Sequence, residues 1–187
     1  MKIPKKARQQ MRKYLAYSGV VLVILLFLMM LKINIIKVVI ITLLILIATF
    51  SKVYKQFTTM SIGFELVTPV VIILSFKVNI IFAIIAAIFM VIASDFISGN
   101  LIGHAVAIEI GVYALLSIIA GIAGVIGVSS FASLGLALVI LRNVVMWLIM
   151  VVPGFVDPFR GTLATLPNFF INGCIITTVG VSIVNIL

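Results

Sequence analysis

The chain has 187 residues, of which 65% are hydrophobic and only 9% charged, and it carries a formal charge of +9. A soluble domain of this length holds about 25% charged residues, so no water-facing surface of ordinary extent can be built from this composition. A soluble enzyme or a nucleic-acid-binding module is thereby excluded: the basic residues are spread between apolar runs, with no aromatic stacking surface beside them.

In lipid every backbone polar group must be bonded within the spanning structure, which leaves helices or a closed barrel. The apolar runs are long and lack a period-2 alternation, which selects helices. The predicted fold is an all-α, polytopic transmembrane bundle of about seven spans, six being possible. In chain order the spans are Tyr14–Leu31, Ile35–Phe50, Met60–Phe76, Val78–Ser94, Ala105–Gly124, Phe131–Val152 and Pro167–Ile186. A basic segment, 1–13, precedes an N-terminal helical hairpin, 14–58, and the remaining helices occupy 59–187 of what reads as a single transmembrane domain. The first span reads as a retained anchor, because no small-x-small cleavage pattern follows its long apolar stretch.

Seven alternating spans put the N-terminus and the loops Ser51–Thr59, Asp95–His104 and Pro153–Leu166 on one side. That side holds nine basic residues, and the other only Lys32, Lys37 and Lys77. The bias orients the N-terminus to the cytoplasm of a cell membrane, with anionic headgroups as added partners.

The polar residues inside apolar runs carry the functional signal, because intramembrane charge is costly. Glu65, Asp95 and Glu109 lie in or at the ends of spans on the same face, with Asp157 after the sixth. Arg142 sits mid-span beside Asn143 and needs an interior carboxylate, Glu109 first and Glu65 second. Asn168 and Asn172, four apart, share one helix face. These seven residues, Glu65, Asp95, Glu109, Arg142, Asn143, Asn168 and Asn172, form the candidate ligand-binding or intramembrane polar cluster. Pro69 is expected to bend the third span beside Glu65 and Thr68.

Small-xxx-small spacing marks Ala83 and Ala87, Ala120 and Gly124, Ala123 and Gly127, and Gly173 and Thr177 as close helix contacts, with the Ala83–Ala87 stripe equally able to dock a partner subunit. Cys174 is read as a small packing residue, and His104, the only histidine, as a surface or capping residue. Neither has metal-ligand spacing around it. No cofactor, metal site or catalytic constellation is expected: the sequence lacks HExxH and any Ser/His nucleophile arrangement.

The stretch Ile62-Gly-Phe-Glu-Leu-Val-Thr-Pro-Val-Val-Ile-Ile-Leu-Ser, followed by an alanine-rich helix ending in Ser94-Asp95, resembles a helix pair in substrate-binding S components of energy-coupling-factor transporters. It is also similar to the related MreD-like small membrane proteins. The resemblance covers about Met60–Leu187, with Gly63, Pro69 and Asp95 matching best, and this chain has an N-terminal span in addition. It implies an S-component-like core that binds a small molecule and docks on a membrane coupling subunit. The MreD likeness implies instead a non-catalytic scaffold acting through helix contacts, with homo-oligomers as a further possibility.

Overall fold

The computed structural model describes residues 34–51, 65–98, 104–154 and 156–187. The span Tyr14–Leu31, the basic segment 1–13 and residues 60–64 of the third span lie outside these. The described residues are helical, without a strand. The helices are α1 (Ile35–Phe50), α2 (Val67–Lys77), α3 (Ile80–Ser98), α4 (His104–Ile126), α5 (Phe131–Val151), α6 (Pro158–Ile175) and α7 (Val181–Ile186), with a π-helical turn, Ile176–Gly180, joining α6 to α7. The chain divides into two compact units, Met1–Leu43 and Leu44–Leu187. The second unit holds α2 to α7 and all of the candidate site residues.

Four helical stretches are long and apolar enough to cross a membrane: Ile80–Ile97, Ala105–Ile126, Phe131–Val151 and Gly161–Ile186. The helices Ile35–Phe50 and Val67–Lys77 are apolar but shorter. Of the seven expected spans, four thus correspond to full-length candidates and two to shorter helices, and Tyr14–Leu31 lies outside the described residues. Several expected bounds move as well. Among the described residues the helix of the third span runs from Val67 to Lys77, with Glu65 and Leu66 ahead of it not helical. The fourth extends through Asp95 to Ser98, so Asp95 lies within a helix and not in a loop. The final helix begins at Pro158, nine residues before the expected Pro167, and converts most of the Pro153–Leu166 loop into helix.

α2 is the hub. Every residue from Val67 to Ser75 is buried, and the helix packs against α3, α4, α5 and the final helix. A helix that is apolar all round has no face for water, and here its neighbours cover it from Val67 to Ser75. Pro69 is the third residue of this helix, in the first turn, where a missing N–H breaks no helical hydrogen bond. The predicted bend therefore does not arise from it.

The termini follow local chemistry. Asn79 Oδ1 accepts from Ile81 N at 2.8 Å and starts α3 directly after α2, which makes the two an antiparallel hairpin. α4 ends at Gly127, whose φ is +77°. Its N–H bonds Gly124 O, and Val128 N bonds Ala123 O at 3.1 Å, a Schellman closure. Gly127 has open space around it, so it is a helix stop rather than the packing residue its spacing implied. Asp157 Oδ1 accepts from Phe159 N at 3.0 Å and caps α6, with Pro158 at the first helical position.

Helix faces sort by size. On α3 the residues Ala83, Ala86, Ala87, Met90 and Ser94 are buried, while Ile81, Ile85, Ile92 and Phe96 are exposed. Small residues inside let backbones approach, and large ones outside meet lipid. Ala83 and Ala87 are therefore buried within this chain, which corrects the reading of that stripe as a partner surface. Gly124 does pack closely: a Cβ there would lie 2.5 Å from the Phe76 carbonyl oxygen. Cys174 is exposed on α6 and fills no packing position.

Candidate functional site

Tyr113 is the tenth of the 23 residues of α4, and Arg142 the twelfth of the 21 of α5. At 1.5 Å per residue both are roughly 15 Å from the helix ends, near the middle of a hydrocarbon core about 30 Å thick. They reach that depth on buried stripes. On α4, Glu109, Tyr113, Ser117, Ala120 and Gly124 follow helical spacing along the side facing α2. On α5, Gly135, Leu138, Val139 and Arg142 do the same, and all four are buried.

Glu65 lies two residues before the start of α2, with Leu66 between. The backbone there is pinned by Leu66 N donating to Ser51 Oγ at 3.0 Å. Arg142 Nη2 donates to Glu65 Oε1 and to Tyr113 OH at 3.3 Å. Tyr113 OH in turn donates to Glu65 Oε1 and lies 3.4 Å from Glu109 Oε1. Glu109 Oε1 is 3.8 Å from the same guanidinium nitrogen. Arg142 Nη1 donates to Asn143 Oδ1 at 3.4 Å, and the guanidinium carbon is 5.8 Å from the Tyr113 ring centroid, within cation–π range. The side chains of Arg142, Glu65 and Glu109 are 9%, 6% and 12% exposed.

The expected order of partners is thus reversed: Glu65 holds Arg142, and Glu109 is the second carboxylate. Hydropathy put Glu65 near the entrance of a span starting at Met60. In the fold it stands opposite Tyr113, at mid-depth.

Asn168 and Asn172 join at the same level. α5 and α6 contact where Gly135 meets Ile176 and where Gly173 meets Leu136. This antiparallel register puts Asn168 level with Arg142 and Asn172 level with Leu138 and Val139. Both asparagines are buried, and Asn172 Nδ2 donates to Asn168 Oδ1 at 2.6 Å. Asn143 Nδ2 bonds the Val139 carbonyl at 2.9 Å. Asp95 is the exception: it is buried in the last turn of α3 but is not among the groups joined to Arg142.

Tyr113 is not singled out by the sequence, although its position four residues after Glu109 puts the two on one face. Tyrosine counts as apolar in a hydropathy scan, which hides it. Among the described residues no group of His, Cys, Asp or Glu side chains is placed to hold a metal ion. Beside the cluster, a cleft of about 350 Å³ lies between α5 and α6, lined by Ile140, Asn143, Val144, Trp147, Thr165 and Phe169 among others.

Fold and site together define a helical bundle of membrane-protein composition with a buried charged layer at mid-depth, drawn from Glu65 and helices α4, α5 and α6. Comparison with protein-family models, curated proteins and solved structures returned no match.

Proposed function

We propose that this chain is a non-enzymatic membrane subunit that binds a small solute for transport, resembling an S component that docks on a coupling partner. The observation that carries the reading is the cleft between α5 and α6. Its size falls in the range of small-molecule sites, its lining is mostly apolar, and Asn143 in its wall is hydrogen-bonded to Arg142. A solute there would rest on apolar side chains, since the Asn143 amide and the Thr165 hydroxyl are bonded within the protein. Among the described residues Arg142 Nε and Asn172 Oδ1 are buried and without a protein partner, so the polar layer behind the cleft keeps hydrogen-bonding capacity. The seven-span arrangement in a cell membrane, with a cytoplasmic N-terminus, belongs to this reading and rests on the Lys/Arg bias.

Trp147 is the chain's only tryptophan and lines the cleft, so binding is readable by its emission. A panel of vitamins and metal ions should contain a ligand that shifts Trp147 fluorescence and raises the melting temperature. A flat response in both would count heavily against a solute site.

A second reading, a scaffold resembling MreD, is supported by Arg142 acting as a brace between α4, α5 and the start of α2. Copurification from native membrane separates the two. ATPase and coupling subunits favour transport, and envelope or cytoskeletal proteins favour the scaffold.

A further inference from the structure

Among the described residues, seven serines and threonines are buried: Thr42, Thr49, Ser51, Thr68, Ser75, Ser94 and Ser117. Five of them close onto a carbonyl three or four residues earlier, Thr42 on Val38, Thr49 on Ile45, Ser51 on Ala48, Ser75 on Val71 and Ser94 on Val91. This is the ordinary way to satisfy a hydroxyl in an apolar helix. Thr68 and Ser117 depart from it. Both are 0% exposed, and among the described residues neither hydroxyl oxygen has a protein partner, although Ser117 has the Tyr113 carbonyl one turn behind it.

The two lie at one level of a packed helix pair. Glu65 meets Tyr113, 48 residues on, and Phe76 meets Gly124 at the same separation. α2 and α4 therefore run parallel in constant register, and that register sets Thr68 level with Leu116, one residue from Ser117. Ser117 lies one turn past Tyr113 on the face toward α2, and Thr68 is the second residue of α2, three residues after Glu65.

We infer that Thr68 and Ser117 form a binding site for a buried water molecule, between α2 and α4 and one turn from the Glu65–Tyr113 contact. The ligand class follows from the groups. Each hydroxyl can donate and accept, and a water with two to four polar partners satisfies both. A cation is disfavoured by the N-terminus of α2 and by Arg142, and an anion by Glu65 and Glu109. The consequence is that the mid-depth cluster is hydrated from the α2–α4 side, away from the α5–α6 cleft and independently of any solute bound there.

The test is the sign of a stability change, measured as the melting temperature of the full chain without added solute. Thr68→Val keeps the shape and removes the hydroxyl. With a shared water, Thr68→Val and Ser117→Ala should each lower the melting temperature by roughly 2–4 °C. Thr68→Ser should stay near the parent, and the double variant should be no worse than the poorer single. If the interface is dry, removing an unsatisfied hydroxyl relieves a penalty, and Thr68→Val should raise the melting temperature. That rise, or strictly additive losses, would overturn the inference. Should the variants fail to fold, a structure at water-resolving detail decides: an oxygen within hydrogen-bond distance of both Thr68 Oγ1 and Ser117 Oγ supports it, and continuous side-chain packing there refutes it.

Discussion

Arg142 concentrates the energetic stakes of this molecule in one side chain. A charge in a low-dielectric interior is tolerated only when paired and hydrogen-bonded, and removing one member of such a pair typically costs about 3–5 kcal/mol. Arg142→Met and Glu65→Gln should each destabilise the protein on that scale, and the double variant should lose less than the sum. Because Glu109 is 3.8 Å from the guanidinium rather than in its direct grip, its coupling to Arg142 should be the smaller of the two. A double-mutant cycle on detergent-solubilised thermal stability reads both couplings. Strict additivity for Arg142 and Glu65 would show that the contact carries no interaction energy.

At the scale of the helix, the parallel α2–α4 pair depends on a missing side chain. An alanine Cβ at Gly124 would lie 2.5 Å from the backbone oxygen of Phe76, and backbone cannot rotate away as a side chain can. Gly124→Ala should therefore cost roughly 1–3 kcal/mol, the usual range for overpacking. Gly111 on the same helix has nothing within 4 Å, and Gly111→Ala should gain about 0.5–1 kcal/mol from backbone entropy. Opposite shifts in melting temperature are expected, and equal behaviour would mean that α2 and α4 do not touch there. The same logic applies on α3. Ala87 is 1% exposed and Ile85 is 51% exposed, so Ala87→Leu should lower stability sharply while Ile85→Leu is tolerated.

For the whole molecule, the helix directions fix which ends lie together, whatever the total number of spans. The end of α2 at Lys77, the turn Val128–Ser130 and the chain end near Asn185 line one common pocket. Asp157 lies beyond the opposite end of α5. In a background where the exposed Cys174 is replaced by serine, cysteines at Lys77 and Asn185 should be labelled from one side of the membrane, and a cysteine at Asp157 from the other. Labelling of all three from one side would remove the arrangement of α5 and α6 as membrane-crossing helices.

Composition alone dictated a lipid-compatible chain, because four acids and 13 basic residues cannot clothe a soluble domain, and the long apolar runs without alternation made it helical. Hydropathy placed Ile35–Phe50 and Phe131–Val151 almost to the residue, since a helix that meets lipid must be apolar along its length. Costly intramembrane charge likewise singled out Arg142, Glu65 and Glu109. Hydropathy did not reveal that α2 is the hub of the packing, that Pro69 sits harmlessly in its first turn, or that Glu65 outranks Glu109. These depend on depth and register between helices, which a one-dimensional pattern does not contain. Tyr113 and the Thr68–Ser117 pair became visible only there, because a hydroxyl on an apolar scaffold scores as ordinary membrane sequence until its neighbours across the interface are known.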